Sequence, residues 1–216
     1  MTFSKIALLL SVAVAASALP SPGAVTAPIE GYKVATLSWE VETSPGHIEI
    51  LNGTVQEVVA QAVKINPDFE EIVAANLNAG VSVPEEKRSE HALSKRSEVN
   101  CWPRQGEWGV TPAKHIEDGI SYLRGIGGKP HLLPGPGYCT RVSCSHTSAI
   151  WLCNDQNYER WLGSWNDVAN SAQHIVNTCK YWAMHGTLGY YAYFVKGQNF
   201  EASKWNTIVR HDGNNC

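Results

Sequence analysis

The distribution of cysteine constrains this chain more than any other feature of its sequence. All six cysteines of the 216 residues lie after position 100, and the stretch before them has none. An even number of cysteines confined to one half of a chain indicates disulfide bridges within that half when the chain enters an oxidising compartment. Spacing alone does not choose among the possible pairings. The cysteines are Cys101, Cys139, Cys144, Cys153, Cys179 and Cys216.

The first residues predict export from the cell. Lys5 precedes the apolar run IALLLSVAVAA, and Ala16-Ser17-Ala18 matches an A-x-A cleavage site. This order is typical of a secretory signal peptide, here over residues 1–18. The apolar run has about half of the roughly 20 residues that a membrane span needs. We therefore expect a secreted, extracellular protein without a transmembrane segment.

A polar linker separates the cysteine-free part from the cysteine-bearing part. Its sequence, VPEEKRSEHALSKR, is too poor in apolar residues to pack, and it contains the dibasic pairs Lys87-Arg88 and Lys95-Arg96. Kexin-type proteases of the secretory pathway cut after such pairs. The position of Lys95-Arg96, just before the first cysteine, predicts a propeptide over residues 19–96 and a mature domain over residues 97–216.

The predicted propeptide has a secondary-structure pattern of its own. The segments YKVATLSWEVE and HIEILNGTV alternate as strands do, on either side of a turn at Pro45-Gly46. The following segment, TVQEVVAQAVKI, has helical spacing. We expect a small strand-strand-helix unit, which either assists folding and latency or serves as a passive spacer. The N-x-S/T sequon Asn52-Gly53-Thr54 lies in this part.

In the mature part, two amphipathic patterns predict helices. The first begins with Thr111 as N-cap and Pro112 as first helical residue, and it ends at Gly127-Gly128. The second is capped by Ser164 and carries Cys179 on its apolar face. The segments CTRVSCS, SAIWLCND, YYAYFV and WNTIVRHD are typical of strands. Because strands and helices do not alternate as in βαβ repeats, we expect an α+β domain in which two helices cover an antiparallel sheet of about four strands.

Charge and ligand spacing argue against several classes of function. The mature part has 10 Lys/Arg against 9 Asp/Glu, without the basic stripe that contacts to nucleic-acid phosphates need. It has no C-x-x-C or H-x-x-x-H pair at the spacing of zinc ligands. We therefore expect no nucleic-acid partner, no metal and no cofactor.

Several segments carry a resemblance to known proteins. GPGYCTRVSCSHTSAIWLCND, HIVNTC and WNTIVRHDGNNC resemble an uncharacterised family of small secreted, kexin-processed, cysteine-containing proteins of filamentous fungi, and the likeness extends back through LSWEVE and LNGTVQEV. More distantly, two helices over an antiparallel sheet with a late cysteine resemble the layout of killer toxins and related fungal effectors. The resemblance implies a role outside the cell, against a host or a competing microbe.

The chain has candidate groups for general acid–base catalysis but no catalytic motif. A secreted ribonuclease-like hydrolase would use histidines, a carboxylate and an arginine, and the available groups are His115, His146, His174, Glu117, Arg141 and Arg210. Ordinary roles account for several of them, since Glu117 near a helix start favours the helix dipole and His146 falls in a hairpin turn. We assign no catalytic residue and keep the hydrolase as the alternative hypothesis.

Aromatic residues provide the candidate binding groups. Seven of the eight tryptophans lie in the mature part, and LGYYAYFV adds further rings. We expect Trp151 and Trp205, in apolar strands, to belong to the core. Tryptophans in polar contexts are candidates for interface hot spots or ligand-stacking surfaces. The favoured hypothesis is therefore an effector or killer-toxin-like protein that binds an extracellular protein or glycan through Trp161, Trp165 and Trp182.

Overall fold

The computed structural model describes residues 25–78, 98–102, 108–185, 189–213 and 216. The predicted signal peptide and the dibasic pair Lys95-Arg96 lie outside these residues. All six cysteines and the three tryptophans chosen as binding residues lie within them.

The described residues form four helices and thirteen strands. The helices are α1 (Val55–Ile65), α2 (Phe69–Asn78), α3 (Ala113–Gly125) and α4 (Trp165–Cys179). The strands are β1 (Lys33–Val34), β2 (Ser38–Ser44), β3 (His47–Asn52), β4 (Glu98–Asn100), β5 (Thr111–Pro112), β6 (His131–Leu132), β7 (Tyr138–Ser145), β8 (Ser148–Asn154), β9 (Arg160–Trp161), β10 (Tyr181–Met184), β11 (Tyr191–Val195), β12 (Gly197–Phe200) and β13 (Trp205–His211).

A six-stranded sheet with the order β1-β7-β8-β13-β12-β4 forms the centre of the molecule. Its neighbours pair antiparallel, except that β1 runs parallel to β7. The tight turn between β7 and β8 places His146 and Thr147 in the left-handed region, with φ of 50° and 59°. Two such residues in succession match the right-handed twist of the strands that they join.

Helices α3 and α4 cover one face of this sheet. Ser164 caps α4 in a capping box with Asp167, as the spacing of these two residues indicates. Helix α3 begins one residue later than expected, because Thr111 and Pro112 pair with β11 as strand β5. The Thr111 hydroxyl contacts the Ser148 hydroxyl, so the prediction of Thr111 as an N-cap is wrong.

The α+β class is confirmed, but the arrangement is more elaborate than four strands under two helices. Three of the four predicted strands lie in the central sheet as β7, β8 and β13. The fourth, β11, belongs instead to a separate three-stranded sheet with the order β10-β11-β5. Two further sheets of two strands each, β2-β3 and β6-β9, complete the described part.

The N-terminal part forms the expected hairpin and helix, β2-β3 and α1, and adds α2 after Pro67. It does not stand apart from the cysteine-bearing part. Hydrophobic residues from both sides of the linker form one buried cluster, in which Trp39 stacks on Trp165 with ring centroids 3.7 Å apart. The strand-strand-helix unit therefore contributes to the main core.

Three disulfides join the six cysteines, with the pairing Cys101–Cys179, Cys139–Cys153 and Cys144–Cys216. The first bridge ties the end of β4 to the last residue of α4, and the second crosses the β7-β8 ladder. The third holds the C-terminal residue against β7. Within the described residues, no helix has the length and apolar character needed to cross a membrane.

Candidate functional site

The hairpin formed by β10 and β11 carries four large exposed side chains on one face. Antiparallel pairing places Trp182 opposite Tyr193 and Met184 opposite Tyr191. Residues directly opposite one another in a ladder point to the same side of the sheet. Each of the four is between 51% and 60% exposed. We call this surface the aromatic face.

The rings of the aromatic face contact one another. Trp182 meets Tyr193 edge to face, with centroids 4.8 Å apart, and lies nearly parallel to Tyr191 at 6.0 Å. Both distances are within the range of favourable aromatic pairs. The opposite side of the hairpin pairs Ala183 with Ala192 and includes the buried Phe194. The exposed rings are therefore mounted on a paired strand ladder that fixes their relative positions.

A charged pair borders the aromatic face. The Lys180 ammonium lies 5.2 Å from the centre of the Tyr193 ring and donates to a Glu117 carboxylate oxygen at 3.0 Å. Lys180 follows α4 directly, and Glu117 lies on α3. The edge of the face therefore offers polar groups beside the rings, which is the usual anatomy of a binding surface with an apolar centre and a polar rim.

The three predicted binding tryptophans have different environments. Trp182 belongs to the aromatic face. Trp161 is also exposed, at 53%, but it lies on β9 and stacks on the His131 ring at 4.3 Å. Trp165 is only 1% exposed because Trp39 covers it. The prediction of Trp165 as an exposed anchor is wrong for the intact chain, since its partner lies in the N-terminal part.

Sequence reasoning did not select the other members of the aromatic face. Tyr191 and Tyr193 lie in the aromatic segment LGYYAYFV, and their spacing of two would place them on one side of a strand. The sequence pattern does not mark Met184 as a binding residue, because it does not predict strand β10, in which Met184 lies. The cross-strand register is what brings Met184 and Trp182 to the same side as the two tyrosines.

Two of the histidines considered for catalysis form a stacked pair. The rings of His115 and His146 lie 4.4 Å apart, and the Ser145 hydroxyl is 2.7 Å from Nδ1 of His146. Burial lowers the pKa of His115, and the nearby charge of His146 lowers it further. His174, by contrast, is exposed on α4.

The two candidate arginines contact a single carboxylate. Nitrogen atoms of Arg141 and Arg210 lie 3.5 Å and 3.8 Å from oxygens of Asp212, which also accepts a hydrogen bond from the Trp151 indole at 3.1 Å. Burial lowers the pKa of Arg210, and the neighbouring Asp212 opposes that shift. Because these side chains are mostly buried, Asp212 acts as a counter-ion within the fold and not as an exposed general base.

Metal sites and similarity to known proteins add no further assignment. Among the residues that the structure describes, no group of three or more His, Cys, Asp or Glu side chains is arranged to hold a metal ion. Comparison with models of protein families, with curated proteins and with solved structures found no match to this chain. The aromatic face is therefore the candidate functional site on structural grounds alone.

Proposed function

We propose that the protein is a secreted effector or killer-toxin-like protein that binds an extracellular target, on a host or a competing microbe, through its aromatic face. The observation that carries this proposal is the alignment of Trp182, Met184, Tyr191 and Tyr193 on one side of the β10-β11 hairpin, each more than half exposed. A protein without a partner gains nothing from presenting four large side chains together to water.

The composition of the face favours a protein target over a glycan. Trp, Tyr and Met are the residue types enriched at the centres of protein interfaces, together with Arg. A flexible thioether such as that of Met184 adapts to an irregular partner surface. The Lys180–Glu117 pair at the rim supplies charge for orientation more than for affinity, because rim charges contribute little to binding energy.

The exposed area sets the size of the expected effect. A buried Trp or Tyr covers about 200 Å², so covering the exposed half of one such ring removes about 100 Å² from water. At about 25 cal/mol per Å², each ring can contribute about 2.5 kcal/mol. This value lies in the range of interface hot spots.

The test measures binding of the labelled, folded secreted protein to fungal and plant cells. Trp182→Ala should weaken the Kd by roughly 30-fold, equivalent to about 2 kcal/mol, whereas the matched control Trp161→Ala should leave it unchanged. Trp161 is equally exposed but lies outside the face. Unchanged binding by the triple variant Trp182→Ala, Tyr191→Ala, Tyr193→Ala would refute the proposal. Protease treatment of the cells should abolish binding, and loss only after glycosidase treatment would identify a glycan target instead.

A ribonuclease-like hydrolase is the second candidate, and the His115–His146 pair is the observation that favours it. Two adjacent imidazoles, one with a lowered pKa, can share the acid and base roles of a hydrolytic reaction. The test is RNA turnover by wild type and by His115→Ala and His146→Ala. Turnover abolished by a single histidine change would replace the binding proposal with the enzyme.

A further inference from the structure

We propose that the N-terminal segment, residues 25–78, stays bound to the cysteine-bearing part after the linker is cut, so that the working protein consists of two chains held together without a covalent bond. Processing hydrolyses the Arg96–Ser97 peptide bond with one water molecule, which leaves a carboxylate on Arg96 and an amine on Ser97. The N-terminal segment has no cysteine. Its retention therefore depends entirely on packing and hydrogen bonds.

The first contact is the shared core on the helix-covered face of the sheet. The fully buried Trp39 of β2 stacks on Trp165 at the start of α4. Val55, Val58 and Phe69 of the same segment are also buried in this cluster. Loss of the segment would expose the Trp165 ring and the apolar surface around it to water, which is strongly unfavourable.

The second contact is a set of directed hydrogen bonds across the boundary. The Gln56 side chain on α1 donates to the Ser143 hydroxyl at 2.7 Å and accepts from the Cys144 backbone N–H at 3.0 Å. Ser143 and Cys144 follow an irregularity in the β7-β8 register. The Asn76 amide donates to the carbonyl oxygen of Gly125 at 3.0 Å, at the end of α3. Removing the segment would leave these groups without these partners.

The third contact lies on the opposite face of the central sheet. Val25, Ile29 and Tyr32 pack against a second buried cluster that includes Trp151. The Pro28 carbonyl oxygen accepts a hydrogen bond from the Trp108 indole at 2.8 Å. The segment then adds strand β1 to the edge of the sheet, beside β7. The N-terminal segment therefore contacts both faces and one edge of the central sheet. A propeptide that is released after processing does not need contacts this extensive.

These contacts distinguish a retained subunit from a released propeptide. A released segment would leave two separate apolar surfaces of the cysteine-bearing part exposed, one on each side of the sheet. Monomeric proteins rarely present such surfaces to water. The medium should therefore contain a chain that starts at or near Ser97 together with the N-terminal chain, in equal amounts.

The experiment cuts the purified full-length secreted chain with a kexin-type protease and analyses it by size-exclusion chromatography and native mass spectrometry. A second form, with residues 83–96 replaced by the recognition sequence of another specific protease, ensures a cut in the linker. Both fragments should elute together with 1:1 stoichiometry and should separate only in denaturant. Elution of the C-terminal fragment alone, folded and monomeric, would overturn the proposal.

Variants link retention to the described contacts. Trp39→Ala should weaken the association of the cut chains by about 100-fold or more, and Gln56→Ala should weaken it by about tenfold. The matched control Ile48→Ala changes a side chain of the same segment that is 66% exposed, and it should have no effect. Gln56→Ala keeps the test decisive if Trp39→Ala does not fold. Association that neither Trp39→Ala nor Gln56→Ala weakens would also contradict the proposal. Cell binding is a separate measurement, so either proposal can fail without the other.

Discussion

Replacement of Trp39 by Ala in the uncut chain measures how far the N-terminal part belongs to the main core. Trp39 is fully buried, stacks on Trp165 with centroids 3.7 Å apart, and donates from its indole nitrogen to the Gly53 carbonyl oxygen at 2.8 Å. Truncation of a buried Trp costs about 3–5 kcal/mol. Loss of the hydrogen bond adds about 1 kcal/mol. The expected decrease in the free energy of unfolding is therefore about 4–6 kcal/mol, a large part of the usual 5–15 kcal/mol.

Urea unfolding of the disulfide-intact chain, followed by far-UV circular dichroism, tests this value. Trp39→Ala should lower the urea concentration at the unfolding midpoint of the whole chain, in a single transition. In thermal unfolding of the same variant, the Tm should fall by roughly 10 °C or more. Ile48→Ala, on the exposed side of the same hairpin, should change stability by less than about 0.5 kcal/mol. A decrease below about 1 kcal/mol for Trp39→Ala, or a separate early transition of the N-terminal part alone, would refute the idea of a shared core.

Two further predictions concern the disulfides and the histidine pair. Thiol titration of the denatured, unreduced protein should detect essentially no free thiol, because the structure pairs all six cysteines; two or more reactive thiols per chain would contradict the pairing. The pKa of His115 is lowered from its ordinary value of 6.5 by burial and then by His146, so the unfolded chain binds a proton more readily than the folded chain. The contribution of His115 to stability is therefore present above the unfolded pKa and decreases as the pH falls through that value towards the lower folded pKa. His115→Gln should reduce the pH dependence measured by thermal unfolding between about pH 7 and about pH 5, and an unchanged pH profile would exclude His115 as its source.

Local sequence patterns predicted several elements because the relevant interactions are themselves local. The capping box of α4 joins Ser164 to a residue three positions later, and the apolar stripe of the helix repeats within single turns. The β7-β8 turn joins the paired residues Ser145 and Ser148 across two residues. Such contacts do not depend on the path of the rest of the chain.

The strands that escaped prediction are short, polar or both. Strand β4 has only three residues, and β12 contains Gln198 and Asn199 inside the protein. Neither length nor hydrophobic alternation marks such segments as strands. They become strands because β12 pairs with β13 and β4 pairs with β12. The pairing of Asn100 with Gln198 joins positions far apart in the sequence.

The three candidate tryptophans show most clearly which properties the sequence determines and which only the tertiary structure decides. The sequence by itself determined the residue types, their polar neighbours and the confinement of cysteine to one half of the chain. Only the tertiary structure decided that Trp165 is buried, because the covering ring of Trp39 comes from the other side of the linker. It also placed Trp182 beside Tyr191 and Tyr193, through the register of β10 and β11. Burial is the removal of water by whichever residues pack nearby, and local sequence does not specify partners that lie more than a hundred residues away.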